Sequence, residues 1–143
     1  MRNIFKPDTE RWEGVAPVKV YLLRLLYALM LIFLGKDAWG FIFSHKGVWD
    51  PAEAMNFSVW ASYAVLSLLG LLHPLKMLPI ILLEILYKCI WLVLVAYPLV
   101  ASGQLAGSPA EGMVYVFAMV VLPIVAMPWK YAFKKYVLMS KKE

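Results

Sequence analysis

Charge and cysteine are what this chain has least of. Charged residues make up 16% of it, against a hydrophobic share of 63%. A soluble domain carries about 25% charge and roughly half apolar residues. The deficit excludes an ordinary water-soluble fold, because too little polar surface is left to cover the apolar content. The one cysteine, Cys89, sits inside an apolar run. A single thiol excludes an internal disulfide, a CxxC redox pair and a cysteine-based zinc site, and it reads as a small packing residue. Only two histidines occur, His45 and His73. They are expected at opposite membrane faces, so no metal or haem site within one subunit is assigned. A phosphate loop, a nucleophile with its base and a metal-spaced cluster are likewise missing from the sequence.

What the chain does have is length in its apolar runs. A helix needs about 20 apolar residues to cross a hydrocarbon core of roughly 30 Å. Four runs reach that, at about 18–39, 51–72, 75–100 and 109–129. None alternates with period two, which disfavours a barrel. The expected fold is all-α, a four-transmembrane-helix bundle at 18–130. An N-terminal segment at 1–17 precedes it and a basic tail at 131–143 follows it. The opening MRNIFKPDTERWEGVAP is charged and shows no signal-peptide cleavage pattern, so the first run is expected to stay as a span.

The fourteen Lys and Arg residues outnumber the nine acids, but they cluster at the ends of apolar runs and do not point to nucleic acid. Arg2, Lys6, Arg11 and Lys19 precede the first run, Lys76 separates the second from the third, and Lys130, Lys134, Lys135, Lys141 and Lys142 follow the fourth. The opposite side has only Lys36 and Lys46. Positive residues favour the cytoplasmic side, so both termini and the His73–Lys76 turn are expected in the cytoplasm.

Two short signals repeat. PVK at 17–19 and PLK at 74–76 open successive apolar stretches, and PWK at 128–130 closes the last. Asp50-Pro51-Ala52-Glu53 and Ser108-Pro109-Ala110-Glu111 each read as a helix start with a capping residue, proline in the first turn and glutamate at the third position. The spacing from Pro17 to Pro74 is one residue shorter than that from Pro51 to Pro109. The chain therefore reads as two tandem parallel helical hairpins, about Val15–Leu72 and His73–Lys130. The alternative is that proline and lysine are simply common at cytoplasmic helix ends.

Ionisable residues inside a span are costly and normally face the bundle. Arg24 lies roughly 7 Å into the first span and Glu84 roughly 12 Å into the third, at 1.5 Å per residue. Lys88 is one turn beyond Glu84, in the favourable acid-before-base order. Ile80, Glu84, Tyr87, Lys88, Trp91 and Val95 share one helical face. A stripe of Asn56, Trp60, Tyr63, Ser67 and Gly70 on the second span should face them, since small and hydroxylated residues at this spacing let helices approach. The candidate ligand-binding or buried polar network is thus Arg24, Tyr63, Glu84, Tyr87, Lys88 and Trp91. The plainer alternative is a structural ion pair, with Arg24 snorkelling to the headgroups. Trp39, Trp49, Tyr97, Trp129 and Tyr131 fit interfacial aromatic belts. Pro79, Pro98 and Pro123 are candidate kinks.

The stretch LRLLYALMLIFLGKDAWGF, from Leu23 to Phe41, resembles the first helix of DoxX-like small bacterial membrane proteins, in which an arginine-led apolar helix ends in glycine and a nearby lysine. The resemblance implies four spans, residence in the bacterial cytoplasmic membrane and association with quinone-linked membrane oxidoreductases, often as an accessory subunit. It carries no catalytic motif onto residues of this chain. Three functions follow as expectations. The first is a binding or accessory subunit that holds an apolar ligand, a quinone or a lipid, or docks a membrane partner or a second copy of itself. Ranked below it is an isomerase-type membrane enzyme using Glu84 as acid and base, for which a second buried acid is wanting because Asp37 is expected near the outer edge. The third is a small transporter or channel.

Orientation can be tested directly. In a Cys89→Ser background, Lys46→Cys should react with an impermeant maleimide added outside intact cells, and Lys134→Cys should react only after lysis. The reverse labelling would invert the topology.

Overall fold

The computed structural model describes residues 5–138. Arg2, Lys141 and Lys142, together with the outer ends of the 1–17 and 131–143 segments, lie outside the described residues. Among the described residues every regular element is helical.

The chain opens with a single turn, α1 (Thr9–Trp12), whose first N–H groups are capped by Asp8, the carboxylate accepting from the Arg11 N–H at 3.0 Å. Glu13 and Gly14 then take positive φ angles of 52° and 81°, a left-handed turn that reverses the chain and buries Val15. Pro17, in the first turn where its missing N–H costs nothing, starts α2 (Pro17–Ser44). This helix runs past the expected end at residue 39. Its buried face is Val20, Leu23, Tyr27 and Met30, at helical spacing, and then Gly35 and Ala38. The step from Met30 to Gly35 is too long for one α turn. A π turn at Met30–Leu34 absorbs the extra residue and keeps both halves facing the core.

After a loop at 45–50, α3 (Pro51–Leu72) starts as expected. Asp50 caps it by accepting from the Glu53 N–H at 2.9 Å, and Pro51 occupies the first turn. The third long helix, α4 (Leu78–Ala101), begins three residues later than expected, because Pro74–Met77 form a turn whose Pro74 and Leu75 are buried. It carries its own π turn at Leu92–Ala96, next to Pro98, which has no N–H to give back to the preceding turn. Pro79 falls in the first turn of α4 and causes no kink.

The loop at 102–110 departs from its expected capping box. Helix α5 (Glu111–Ala118) starts at Glu111 with no side-chain cap. The Glu111 carboxylate instead accepts the Gly107 N–H at 2.8 Å, and the Ser108 hydroxyl is buried without a partner among the described residues. The segment then breaks at Met119–Val120 and resumes as α6 (Val121–Ala126). Pro123 explains the break, since its ring cannot accept the carbonyl of Met119 in a regular turn. Met127 is extended (ψ 126°), as a residue before proline prefers, and α7 (Trp129–Tyr136) leaves at 79° to the preceding segment.

Helices α2, α3 and α4 are long and apolar enough to cross a membrane, and the bent α5–α7 segment is a candidate fourth span. The segments pack as neighbours: α2 along α3, α4 against α5 and α6, and α2 against α6. Where α2 crosses α3 the fit is tight. Tyr27 is fully buried, and its hydroxyl donates to the Pro74 carbonyl at 3.2 Å. A methyl group built on Gly70 would come within 2.3 Å of the Tyr27 ring. Below this crossing, the Lys135 ammonium and Glu13 both engage Tyr131, whose hydroxyl donates to the Glu13 carboxylate at 2.6 Å, tying α7 to the N-terminal turn.

Gly70→Ala should therefore cost about 1–3 kcal/mol through overpacking, read as a lower unfolding midpoint in mixed micelles. Gly40→Ala, where nothing lies within 4 Å, should be neutral or mildly stabilising. Equal effects at both positions would rule out the tight crossing.

Candidate functional site

Between α2, α4 and the α5–α6 segment lies a cavity of about 610 Å³. Its floor is α4, through Glu84, Tyr87 and Lys88, and one wall is α2, from Leu26 to Asp37. The other wall is α5 and α6, including Phe117 and Pro123, and α3 contributes Trp60. The start of α2 packs on the end of α6, where Lys19 donates to the Val125 carbonyl, and the cavity lies further along α2. The rim is apolar: Phe33 on one side and Val116 and Met119 on the other are each more than half exposed. In a bilayer such a rim faces hydrocarbon, so the cavity opens sideways.

The polar content is concentrated on α4. Lys88 Nζ donates to Glu84 Oε1 at 2.7 Å, with side-chain exposures of 12% and 9%. Helical spacing alone brings the two together, since residues four apart stack on one face. Glu84 Oε2 is buried and has no hydrogen-bond partner among the described residues.

The other expected residues divide. Tyr87 lines the cavity and is wedged edge-on between Tyr63 at 6.1 Å and Phe117 at 5.8 Å. Trp91 packs on Phe117 at 4.5 Å, behind the wall. Tyr63 is buried, but its hydroxyl donates to the Ile80 carbonyl at 3.2 Å. Ser67 likewise donates to the Tyr63 carbonyl at 2.8 Å. These groups fasten α3 to α4 and to itself and offer nothing to the cavity. Asn56 is exposed. Arg24 does not join Glu84. Its guanidinium lies 5.3 Å from the Trp12 ring centre, because the turn at Glu13–Gly14 folds α1 back onto α2 and supplies an aromatic face. The expected three-residue network is therefore a two-residue pair.

Two features escaped the sequence. Asp37 lines the same cavity as Glu84, although it was expected to be remote. The π turn in α2 changes which residues share a face, and no periodicity rule anticipates it. Around the loop between α2 and α3, His45 stacks on Trp49 at 3.6 Å and Phe41 on Phe57 at 3.9 Å. The only trace of this in the sequence is the density of aromatics around 39–60.

No family model, curated protein or solved structure matches the chain. What the site can do rests on its own geometry.

Removing one partner of a buried pair leaves an uncompensated charge and costs about 3–5 kcal/mol, whereas replacing both with apolar groups is often neutral. Lys88→Met should thus lower stability by about that amount, and Glu84→Leu combined with Lys88→Met should recover most of it. A double variant as unstable as the single one would show that the pair is not the relevant unit.

Proposed function

We propose that the chain is a four-span protein of the bacterial cytoplasmic membrane, with both termini inside, that holds a membrane-dissolved amphiphile such as a quinone or a lipid in the cavity between α2, α4 and α5–α6. The observation that carries this is a large space with an exposed apolar rim and a buried, incompletely bonded carboxylate at its floor. Sites for small apolar molecules are typically concave and mostly apolar, with a few polar groups for orientation. A cavity facing hydrocarbon suits a ligand that never leaves the bilayer.

The two-hairpin arrangement has support beyond the repeated sequence signals. Both α2 and α4 carry proline in the first turn, and both have a π turn at the same distance, within one residue, from their starts. An accessory role beside a larger membrane oxidoreductase agrees with the DoxX-like character of Leu23–Phe41. A second reading, acid–base catalysis on an apolar substrate, gains from Asp37 sharing the cavity with Glu84. Loss of turnover with retained binding in both Glu84→Gln and Asp37→Asn would select it.

Native mass spectrometry on protein released in mild detergent should find an apolar molecule bound in one-to-one ratio. Val116→Trp or Leu122→Trp should abolish it by filling the cavity while leaving the helix content unchanged. A folded wild-type protein that carries no such molecule and takes up none from added lipid or quinone would sink the proposal.

A further inference from the structure

Two arginines converge on one indole at the N-terminal end of α2. The turn at Glu13–Gly14 folds α1 back onto α2, and Trp12 packs against the core there. The Arg24 guanidinium lies 5.3 Å from the centre of the Trp12 ring, and that of Arg11 lies 5.2 Å from it. A ring face holds a guanidinium in place without neutralising its charge. Neither arginine forms an ion pair with an acid among the described residues. The acid beside Trp12 is committed elsewhere: the Glu13 carboxylate accepts the Tyr131 hydroxyl at 2.6 Å and lies 3.7 Å from the Lys135 ammonium. Of the Arg24 nitrogens, Nε is buried and the two Nη groups are not. Arg11 is exposed.

The depth of the pair matters. The 28 residues of α2 are roughly 42 Å long at the helical rise, about the thickness of a bilayer with its head groups. Arg24 is seven residues into the helix, roughly 10 Å from its start. Helical side chains lean towards the N-terminus and long cationic ones reach for the head groups, which returns the guanidinium to the phosphate layer. From Arg24 inwards, Leu25 and Ile32 are more than half exposed, with the small Ala28 between them. That stripe can take a lipid tail. Residues 6–24 and 130–135, tied together through Glu13, hold seven basic residues against three acids, so the corner calls for an anion. A zwitterionic lipid brings its own cation and leaves that charge unanswered.

We infer that Arg11, Trp12 and Arg24 form a site for an anionic phospholipid, whose phosphate and ester oxygens take the two guanidiniums while one acyl chain lies along Leu25, Ala28 and Ile32. Guanidinium forks match phosphate oxygens two at a time. None of these three head-group residues lines the cavity, so the site requires α2 to span the bilayer but does not require the cavity to hold a ligand.

The test is a lipid titration of the full chain in detergent micelles, read by native mass spectrometry. The probes are phosphatidylglycerol, phosphatidylcholine with the same chains, and inorganic phosphate. The first phosphatidylglycerol should bind the wild type about tenfold tighter than phosphatidylcholine does. Arg24→Gln and Arg11→Gln should each remove most of that preference, and Arg24→Lys, which keeps the charge but not the fork, should retain part of it. Lys134→Gln deletes an equal charge on the exposed side of α7 and should leave the preference unchanged, as should Val116→Trp, which fills the cavity. Should Arg24→Gln fail to fold, Arg11→Gln, altered on an exposed single turn, carries the test. Equal binding of the two lipids by the wild type overturns the inference, and so does a preference that survives in Arg11→Gln. Loss of the preference in Lys134→Gln would make the surface diffusely basic, and loss in Val116→Trp would put the lipid in the cavity; either overturns the site. Displacement of phosphatidylglycerol by excess inorganic phosphate would make it a site for a free anion and overturn the lipid assignment.

Discussion

A carboxylate enclosed by apolar helices has to be answered by an opposite charge, and in this chain the answer comes from the same helix. Glu84 and Lys88 are one turn apart on α4 and meet at 2.7 Å. Their neutrality is local, so it asks nothing of the neighbouring helices. Had Arg24 been needed to neutralise Glu84, α2 would have been drawn onto α4 at that depth and the space between them closed. Instead Arg24 rests on Trp12, α2 is anchored through Tyr27 and Gly70 to α3, and the wall opposite α5 stands free. The self-contained pair makes an open cavity compatible with a packed bundle.

The shape of that cavity is set by irregularities in the helices. The segment from Glu111 to Ala126 forms one wall of the cavity, opposite α2. Pro123 denies it the regular turn at Met119, so the segment is interrupted at Met119–Val120, beside the cavity that Met119, Leu122 and Pro123 line. The π turn in α2 rotates Gly35 and Ala38 back towards the core; Gly35 lies close enough to α3 that an added methyl would approach Ala64 to 3.3 Å. This rotation also leaves Phe33 and Asp37 along the opening. π turns recur at functional positions because they re-aim side chains at small cost in backbone hydrogen bonding. Two such turns and one proline break fall in the three segments that enclose the cavity.

The helical class, the long apolar segments and the Glu84–Lys88 pair were legible in the sequence because each depends on composition or on spacing within one helix. The start of α3 was legible for the same reason, since Asp50, Pro51 and Glu53 act locally. The matching start of α5 was not, because Gly107, at a φ of 76°, turns the chain so that its N–H captures the Glu111 carboxylate ahead of any cap. What failed depended on one element meeting another. Arg24 was assigned to Glu84 by depth alone, without the knowledge that α1 folds back to offer Trp12. The polar stripe on α3 was correctly spaced, and Tyr63 and Ser67 are indeed buried. Spacing could not say that their hydroxyls would be consumed by carbonyls of Ile80 and Tyr63.

That consumption separates structural glue from a site. Hydrogen-bonding groups that serve only to hold helices together tend to be fully satisfied, because every unmet donor or acceptor in an apolar interior works against the fold. Tyr27, Tyr63 and Ser67 follow that rule, each closing on a backbone carbonyl. Glu84, on the wall of a large cavity, pairs one oxygen with Lys88 and leaves the other buried without a partner among the described residues. A purely structural pair would gain by turning Oε2 towards a hydroxyl, and α3 carries two within the same core. The fold spends those hydroxyls elsewhere, on the carbonyls of Ile80 and Tyr63. The proposed ligand site therefore rests on the cavity and its apolar rim, with the Glu84–Lys88 pair at its floor.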